Sequence, residues 1–312
     1  MLGYILTISG ILFSSIASYF SSKVIIKHIY SYAESFYKRP INFLMFYTGL
    51  IISLPVYISS INLTILNKPL LGYYILLFNV VLDLSIVFGI LILFKKIRKF
   101  EISKDFIFAL SVVFTLHLFL ILKKSLNLID SIILFITFIS ISIFLINREK
   151  EEKSLKIRKI STMDFLTMLP IFILSLSIIY ASSVLISMFA INLNNLLGST
   201  PLSAYIINLI NTMSQNVIIS MVILEERNKT EESLLPIIGE AIYTFTIYIG
   251  TICGISPILF SVEMLLPTIS AIFLVYISLV FLNLLNYDIP PPREVGLLII
   301  ILCIILGLLT MV

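Results

Sequence analysis

Phe78-Asn79-Val80-Val81-Leu82-Asp83-Leu84-Ser85-Ile86-Val87-Phe88-Gly89 is an apolar stretch that carries one carboxylate, with an amide side chain one helical turn before it. A second stretch of the same length, Gly239-Glu240-Ala241-Ile242-Tyr243-Thr244 through to Gly250, carries another carboxylate with a hydroxyl one turn after it. Both read as the middle of membrane-spanning helices. An ionised group at the bilayer centre costs about 2.5–3.5 kcal/mol on insertion scales, so it is normally kept for an ion or proton pathway. Two matching stretches point to a duplicated chain with a polar site between its halves.

The surrounding composition fits. The chain is 59% hydrophobic and 12% charged, with a mean hydropathy of +1.12. Soluble domains carry about 25% charged residues, so the class is polytopic membrane protein, all-α, embedded in the lipid bilayer of the cell membrane. The net charge of +4 is no nucleic-acid signal, because the basic residues lie in short connections between apolar runs. Leu2 to Ile25 lacks a basic leader and a small-residue cleavage site, so it reads as a retained helix. Cys253 and Cys303 lie in apolar stretches and suggest neither a disulfide framework nor a metal site.

A spanning helix needs about 20 apolar residues. Charge clusters and Pro/Asn-rich breaks then divide the chain into ten spans, near 2–25, 42–66, 70–94, 105–122, 127–146, 163–191, 202–224, 233–260, 264–286 and 294–312. Of the 21 basic residues, all but Lys68, Lys123 and Lys124 fall in the odd-numbered connections. The positive-inside rule places those connections in the cytoplasm and both termini outside. The chain is therefore expected as a five-helix repeat over 1–147, a charged cytoplasmic linker over 148–161 and a second five-helix repeat over 162–312. Because five is odd, homologous halves must be inverted repeats, an arrangement found in secondary transporters with a site at the midplane.

Laid over one another, the halves match Phe78–Gly89 to Gly239–Gly250, pairing Asn79 with Glu240, Asp83 with Thr244 and Gly89 with Gly250. Ser53 to Ser60 falls over Met213 to Ser220. Residues four apart share a helix face, which joins Asn79 to Asp83, Glu240 to Thr244, and Thr212 to Asn216, with Ser53 near the level of the last pair. All are oxygen donors of the kind hard cations prefer. Pro55, Pro236 and Gly239 are expected to loosen their helices and free backbone carbonyls there. Taken alone, Ser53, Ser60, Ser220 and Thr244 read as helix-to-helix hydrogen bonding. Asp83 and Glu240 read as functional, because an ionised carboxylate is a costly way to tie helices together. His117 reads as an interior histidine and His28 as interfacial. Asp130, Asp164 and Glu263 read as hydrated groups at span ends, and Asn192 to Asn195 as an outer loop.

At these residues the chain resembles a degenerate member of the cation/calcium antiporter superfamily, which includes the sodium/calcium exchangers. Members carry a Gly-Thr-Ser-Leu-Pro-Glu-like segment and a Gly-Asn-x-x-Gly-Ser-Asn-x-x-Asn/Asp-like segment in each repeat. Here the first corresponds to Ile51-Ile52-Ser53-Leu54-Pro55-Val56 and Asn211-Thr212-Met213-Ser214-Gln215-Asn216. The second corresponds to Tyr74–Asp83 and Pro236–Thr244. Val56 and Asn216 replace the family's two glutamates, and Glu240 stands where the family keeps Ser. The resemblance implies antiport of a cation, Ca²⁺ or another metal ion, against Na⁺ or H⁺ by alternating access. Its implied cation site comprises Asp83, Glu240, Asn79, Asn216, Thr212, Thr244 and Ser53, with Asp83 and Glu240 as metal ligands. No cofactor is expected beyond the transported cation. Two alternatives remain: a transport-inactive or regulatory relative on the same scaffold, and a membrane-embedded enzyme. The widely separated histidines and the lack of an Asp-x-x-Asp run speak against the enzyme.

Overall fold

The computed structural model describes residues 2–36, 41–93, 104–148, 162–216, 230–285 and 292–311. Among them the chain forms ten helices. The first half holds α1 (Leu2–Phe36), α2 (Ile41–Ile65), α3 (Pro69–Leu93), α4 (Lys104–Leu122) and α5 (Leu128–Arg148). The second half holds α6 (Thr162–Leu197), α7 (Thr200–Asn211, continuing as Thr212–Asn216) and α8 (Thr230–Tyr243, Thr244–Tyr248 and Ile249–Ile255 in one run). It closes with α9 (Val262–Leu285) and α10 (Arg293–Leu309).

Eight of these helices are long and apolar enough to cross a membrane, so the protein is an integral membrane protein. Of the other two, α10 has 17 residues, and α7 is described only to Asn216, short of the full expected span 202–224. Most of the expected linker 148–161 lies outside the described residues. The helix ends follow local chemistry. Pro69 opens α3 and Pro201 sits in the first turn of α7, where a missing N–H costs nothing. Ser199 caps α7 by accepting from the Leu202 N–H, and Gly198, at φ +69°, ends α6 in a left-handed turn. The expected outer loop Asn192 to Asn195 is instead the last turn of α6: an apolar face that includes the buried Leu193 carries the helix on to Leu197.

Helix pairing is two-fold. α1 packs on α6 and α4 on α9; α2 packs on α8 as α7 does on α3; the end of α3 meets α10 as the end of α8 meets α5. Exchanging α1–α5 for α6–α10 maps the α1–α6 and α4–α9 contacts onto themselves and the other four onto one another. Short strands β1 (Ser125–Leu126) and β2 (Ile258–Leu259) pair antiparallel and join the α4–α5 connection to the α8–α9 connection. Beside them, Asp130 departs from its expected hydrated position and is fully buried. It accepts from Lys123 Nζ and from the Asn127 N–H, while Asn127 Oδ1 accepts from the N–H of Ile129. This reciprocal cap at the start of α5 holds the carboxylate without solvent.

Candidate functional site

The centre of the bundle is where α3, α7 and α8 meet. On α3, Asn79 and Asp83 lie one turn apart on the same face, and Asn79 Nδ2 donates to Asp83 Oδ2 at 3.0 Å. The same amide donates to Glu240 Oε1 on α8 at 2.5 Å. From α7, Thr212 Oγ1 donates to Asp83 Oδ1 at 2.5 Å. The Asp83 and Glu240 carboxylates thus share one donor, the Asn79 amide. Asn79, Asp83, Thr212 and Glu240 are each no more than 1% exposed. Carboxylates from the two halves are thus brought side by side and clamped by one amide.

Two acceptors in the cluster, Glu240 Oε2 and Asn79 Oδ1, are buried without a hydrogen-bond partner. An unpaired buried oxygen is costly, and its usual reason is an ion, a water or a catalytic task. Among the described residues no group of three or more His, Cys, Asp and Glu comes together. A cation here would therefore rest on two carboxylates and neutral amide and hydroxyl oxygens, a set suited to Ca²⁺ or Na⁺ rather than to soft metals.

All three helices change winding at this level. Asp83–Val87, Thr212–Asn216 and Thr244–Tyr248 are single π-helical turns. In the last, the Ile249 N–H reaches back to the Thr244 carbonyl, five residues earlier. Such turns widen the helix, re-aim the side chains after them and concentrate at functional sites. Asp83 and Thr244 open their π turns at the separation of 161 residues that also divides Asn79 from Glu240. Pro55 and Pro236 lie inside continuous helices, where each lacks the N–H that would bond the carbonyl four residues earlier, so the π turns add to the loosening at the prolines.

The other expected site residues are placed as follows. Thr244 is buried one turn beyond Glu240; the donors described at the carboxylates are Asn79 and Thr212. Ser53 is buried on α2, but its hydroxyl bonds the Gly49 carbonyl at 2.7 Å and the Tyr248 hydroxyl at 2.8 Å. The Asn216 side chain lies outside the described residues. Val56, in the position of a family glutamate, is 2% exposed and part of the apolar core. His117 is buried apart from the cluster, with Nε2 3.0 Å from the Tyr73 hydroxyl and its ring edge-on to Phe245.

Sequence reasoning missed three neighbours. A Cβ on Gly49 would lie 2.6 Å from the Glu240 backbone nitrogen and 2.7 Å from the Pro236 carbonyl, so only glycine lets α2 approach α8 at the carboxylate. Asn208 Nδ2 donates to the Ile75 carbonyl at 2.9 Å and ties α7 to α3 one turn before the Thr212–Asp83 bond. Tyr248 lies beyond Glu240 on α8 and joins α8 to α2 through its bond to the Ser53 hydroxyl. The i, i+4 spacings of Gly49 to Ser53 and Asn208 to Thr212 were the available signals.

No protein-family description and no curated protein match this chain. Solved structures do. The H⁺/Ca²⁺ exchanger CAX superposes with a TM-score of 0.64 at 16% identity, covering 98% of this chain and 86% of that one. The sodium–calcium exchanger NCX_Mj, soaked with 10 mM Na⁺ and zero Ca²⁺, also gives 0.64 at 16% identity, covering 96% and 97%. Native YfkE gives 0.61 at 13% identity, covering 98% and 90%. At these identities the likeness establishes the fold.

Proposed function

We propose that this chain, which has the fold of the cation/calcium exchangers, is a secondary-active cation antiporter. It carries Ca²⁺ or another metal ion against Na⁺ or H⁺ by alternating access, with its termini on the outer side of the cell membrane. The observation that carries this reading is the Asp83–Glu240 pair: two carboxylates from the two halves, fully buried, bridged by the Asn79 amide, with an unpartnered acceptor on Glu240. The superposed structures, an H⁺/Ca²⁺ exchanger and a sodium–calcium exchanger, support it.

The chemistry follows from charge balance. Two ionised carboxylates in a medium of low dielectric repel one another and must be neutralised. One divalent cation does this, as do two Na⁺ or two protons, so the alternatives exclude one another at a single site. Asn79 and Thr212 donate to carboxylate oxygens and fix their orientation, leaving Glu240 Oε2 and Asn79 Oδ1 as free acceptors for the ion. The π turns let α3, α7 and α8 repack at the site without breaking their helices. The resulting protein is a carrier and not an enzyme.

The test is uptake of labelled Ca²⁺ or Na⁺ into proteoliposomes under opposed Na⁺ or H⁺ gradients, with an Asp83→Asn/Glu240→Gln double variant as control. Gradient-driven uptake by the wild type alone is expected. No uptake under any countergradient overturns the proposal and favours the transport-inactive relative, for which the buried Val56 speaks.

A further inference from the structure

The two faces of the carboxylate pair are not alike. On α3, every residue from Leu71 to Gly89 is buried, sealed by α2, α7, α9 and α10. On α8, Tyr243, Ile247 and Thr251 are partly exposed, although the residues between them from Glu240 to Cys253 are buried. These three recur every fourth residue and form a stripe that starts one turn beyond Glu240 and runs toward β2. Beside it on α2, Tyr57, Ile58 and Ile61 are likewise partly exposed. The residues of α3 that pair with Tyr243 and Tyr248, at the separation of 161, are Leu82 and Val87, at 0% and 1% exposure. The fold is satisfied by aliphatic side chains on one side and has tyrosines on the other.

Those tyrosines make a stack. The Tyr57 and Tyr248 rings lie face to face, centroids 4.0 Å apart and planes within 16°. Tyr243 follows on the far side of Tyr248 at 5.9 Å and 18°. Aromatic rings prefer offset or edge-on contacts, so close parallel stacking is a weak adhesive in itself. The stack is pinned by hydroxyls instead. Tyr248 bonds Ser53 at 2.8 Å, and Tyr57 donates to Thr251 at 3.2 Å. Both bonds cross from α2 to α8. The π turn Thr244–Tyr248 lies between Glu240 and Tyr248 and turns that ring about the helix axis relative to a regular α-helix.

From this arrangement, and resting on the antiport reading above, we infer that Tyr57, Tyr248 and Tyr243 form a gate on the α2–α8 side of the carboxylate pair, through which the transported cation reaches Glu240. When the Tyr248–Ser53 and Tyr57–Thr251 bonds part, the ring faces of Tyr57 and Tyr248 come free. An aromatic face attracts a partly dehydrated cation by about 0.5–2 kcal/mol, which suits a passing station and not a trap. The corresponding positions of α3, Leu82 and Val87, offer no such station. Tyr248 and Ser53 are positioning residues here: they set how readily the gate opens.

Two measurements test this on the full-length protein in proteoliposomes. In the first, Ile247→Cys is exposed to a membrane-impermeant, water-soluble methanethiosulfonate and, separately, to a lipid-soluble maleimide. Buried Cys253 and Cys303 make the wild type the background control. Reaction with the water-soluble reagent, faster when Tyr57→Leu is added, is expected. Reaction with the maleimide alone shows that the stripe faces lipid, and reaction with neither shows a sealed seam; either result overturns the gate. Because labelling needs no transport, it decides the gate even if uptake assays defeat the antiport reading. In the second, Tyr248→Phe and Ser53→Ala are compared singly and together for cation uptake rate. Each is expected to change the rate by about two- to tenfold, the worth of one neutral hydrogen bond. The double variant is expected to match the single ones. Fully additive effects mean that the hydroxyls do not act through one another, and overturn the latch.

Discussion

Asn79 and Glu240 are 161 residues apart in the chain, yet the Asn79 amide nitrogen lies 2.5 Å from Glu240 Oε1 and joins the two halves of the protein. The same amide holds Asp83 at 3.0 Å. A single neutral side chain therefore bridges both buried carboxylates, and the cluster behaves as one unit whose members are not independent.

That coupling sets the first prediction. Asp83→Asn or Glu240→Gln alone should abolish divalent cation uptake. Leaving one buried charge uncompensated costs about 3–5 kcal/mol, a hundredfold or more in apparent affinity. Ser53→Ala, whose hydroxyl faces Tyr248 and not the carboxylates, should only weaken uptake. Equilibrium binding of labelled cation to the purified variants checks both, and full binding by Glu240→Gln would remove it from the site.

Protons and metal ions should compete for the two carboxylates, so uptake should fall steeply as the external solution is acidified. The sign follows from charge: each proton bound removes one negative charge that the cation needs. Initial rates at clamped membrane potential across a pH series check this, and a flat profile would show that the carboxylates do not titrate during exchange.

Gly49→Ala should disturb the site without touching a polar group. Its Cβ would meet the Glu240 backbone nitrogen at 2.6 Å, forcing α2 from α8 at a cost of about 1–3 kcal/mol. Gly250→Ala is the control, since its Cβ would find ordinary contacts at 3.5 Å and beyond. Thermal unfolding in detergent should show a lowered midpoint for Gly49→Ala alone.

At the other end of α8, Asp130→Ala should lower stability by about 1–3 kcal/mol, through loss of the α5 cap and of the Lys123 bond. Uptake below the new melting midpoint should be unchanged, because Asp130 lies apart from the carboxylate cluster. Lost uptake with unchanged stability would contradict a purely structural role.

Finally, a cysteine at position 154, in the charged stretch between the halves, should react only with reagents that reach the cytoplasmic side. Labelling from outside would reverse the orientation derived from the basic residues.

The sequence carried much of this. Six of the ten helices, α2 to α5, α9 and α10, begin and end within a few residues of the apolar runs; α1 and α6 run longer, α8 ends earlier, and α7 is described only in part. The pairing of Asn79 with Asp83 on one face follows from spacing alone. Its errors were of two kinds. Asn192 to Asn195 was read as a loop by polarity, although an apolar face continues through it. Asp130 was read as hydrated because it sits near a span end, although a lysine and a backbone N–H replace the water. The π turns at Asp83, Thr212 and Thr244 have no signal in the sequence, since their segments carry no breaker.

What the sequence by itself determined is the set of spanning helices and their buried carboxylates. In lipid each segment must satisfy its own backbone hydrogen bonds, so a span is a local property that composition and length reveal. What only the tertiary structure decided is which helices touch and at what level. Apolar faces rich in Leu and Ile are chemically interchangeable, and small residues such as Gly49 select among them by shape. Hence the Asn79–Glu240 bond, the Thr212–Asp83 bond, the Tyr248–Ser53 latch and the π turns that aim them appear only once the helices are packed.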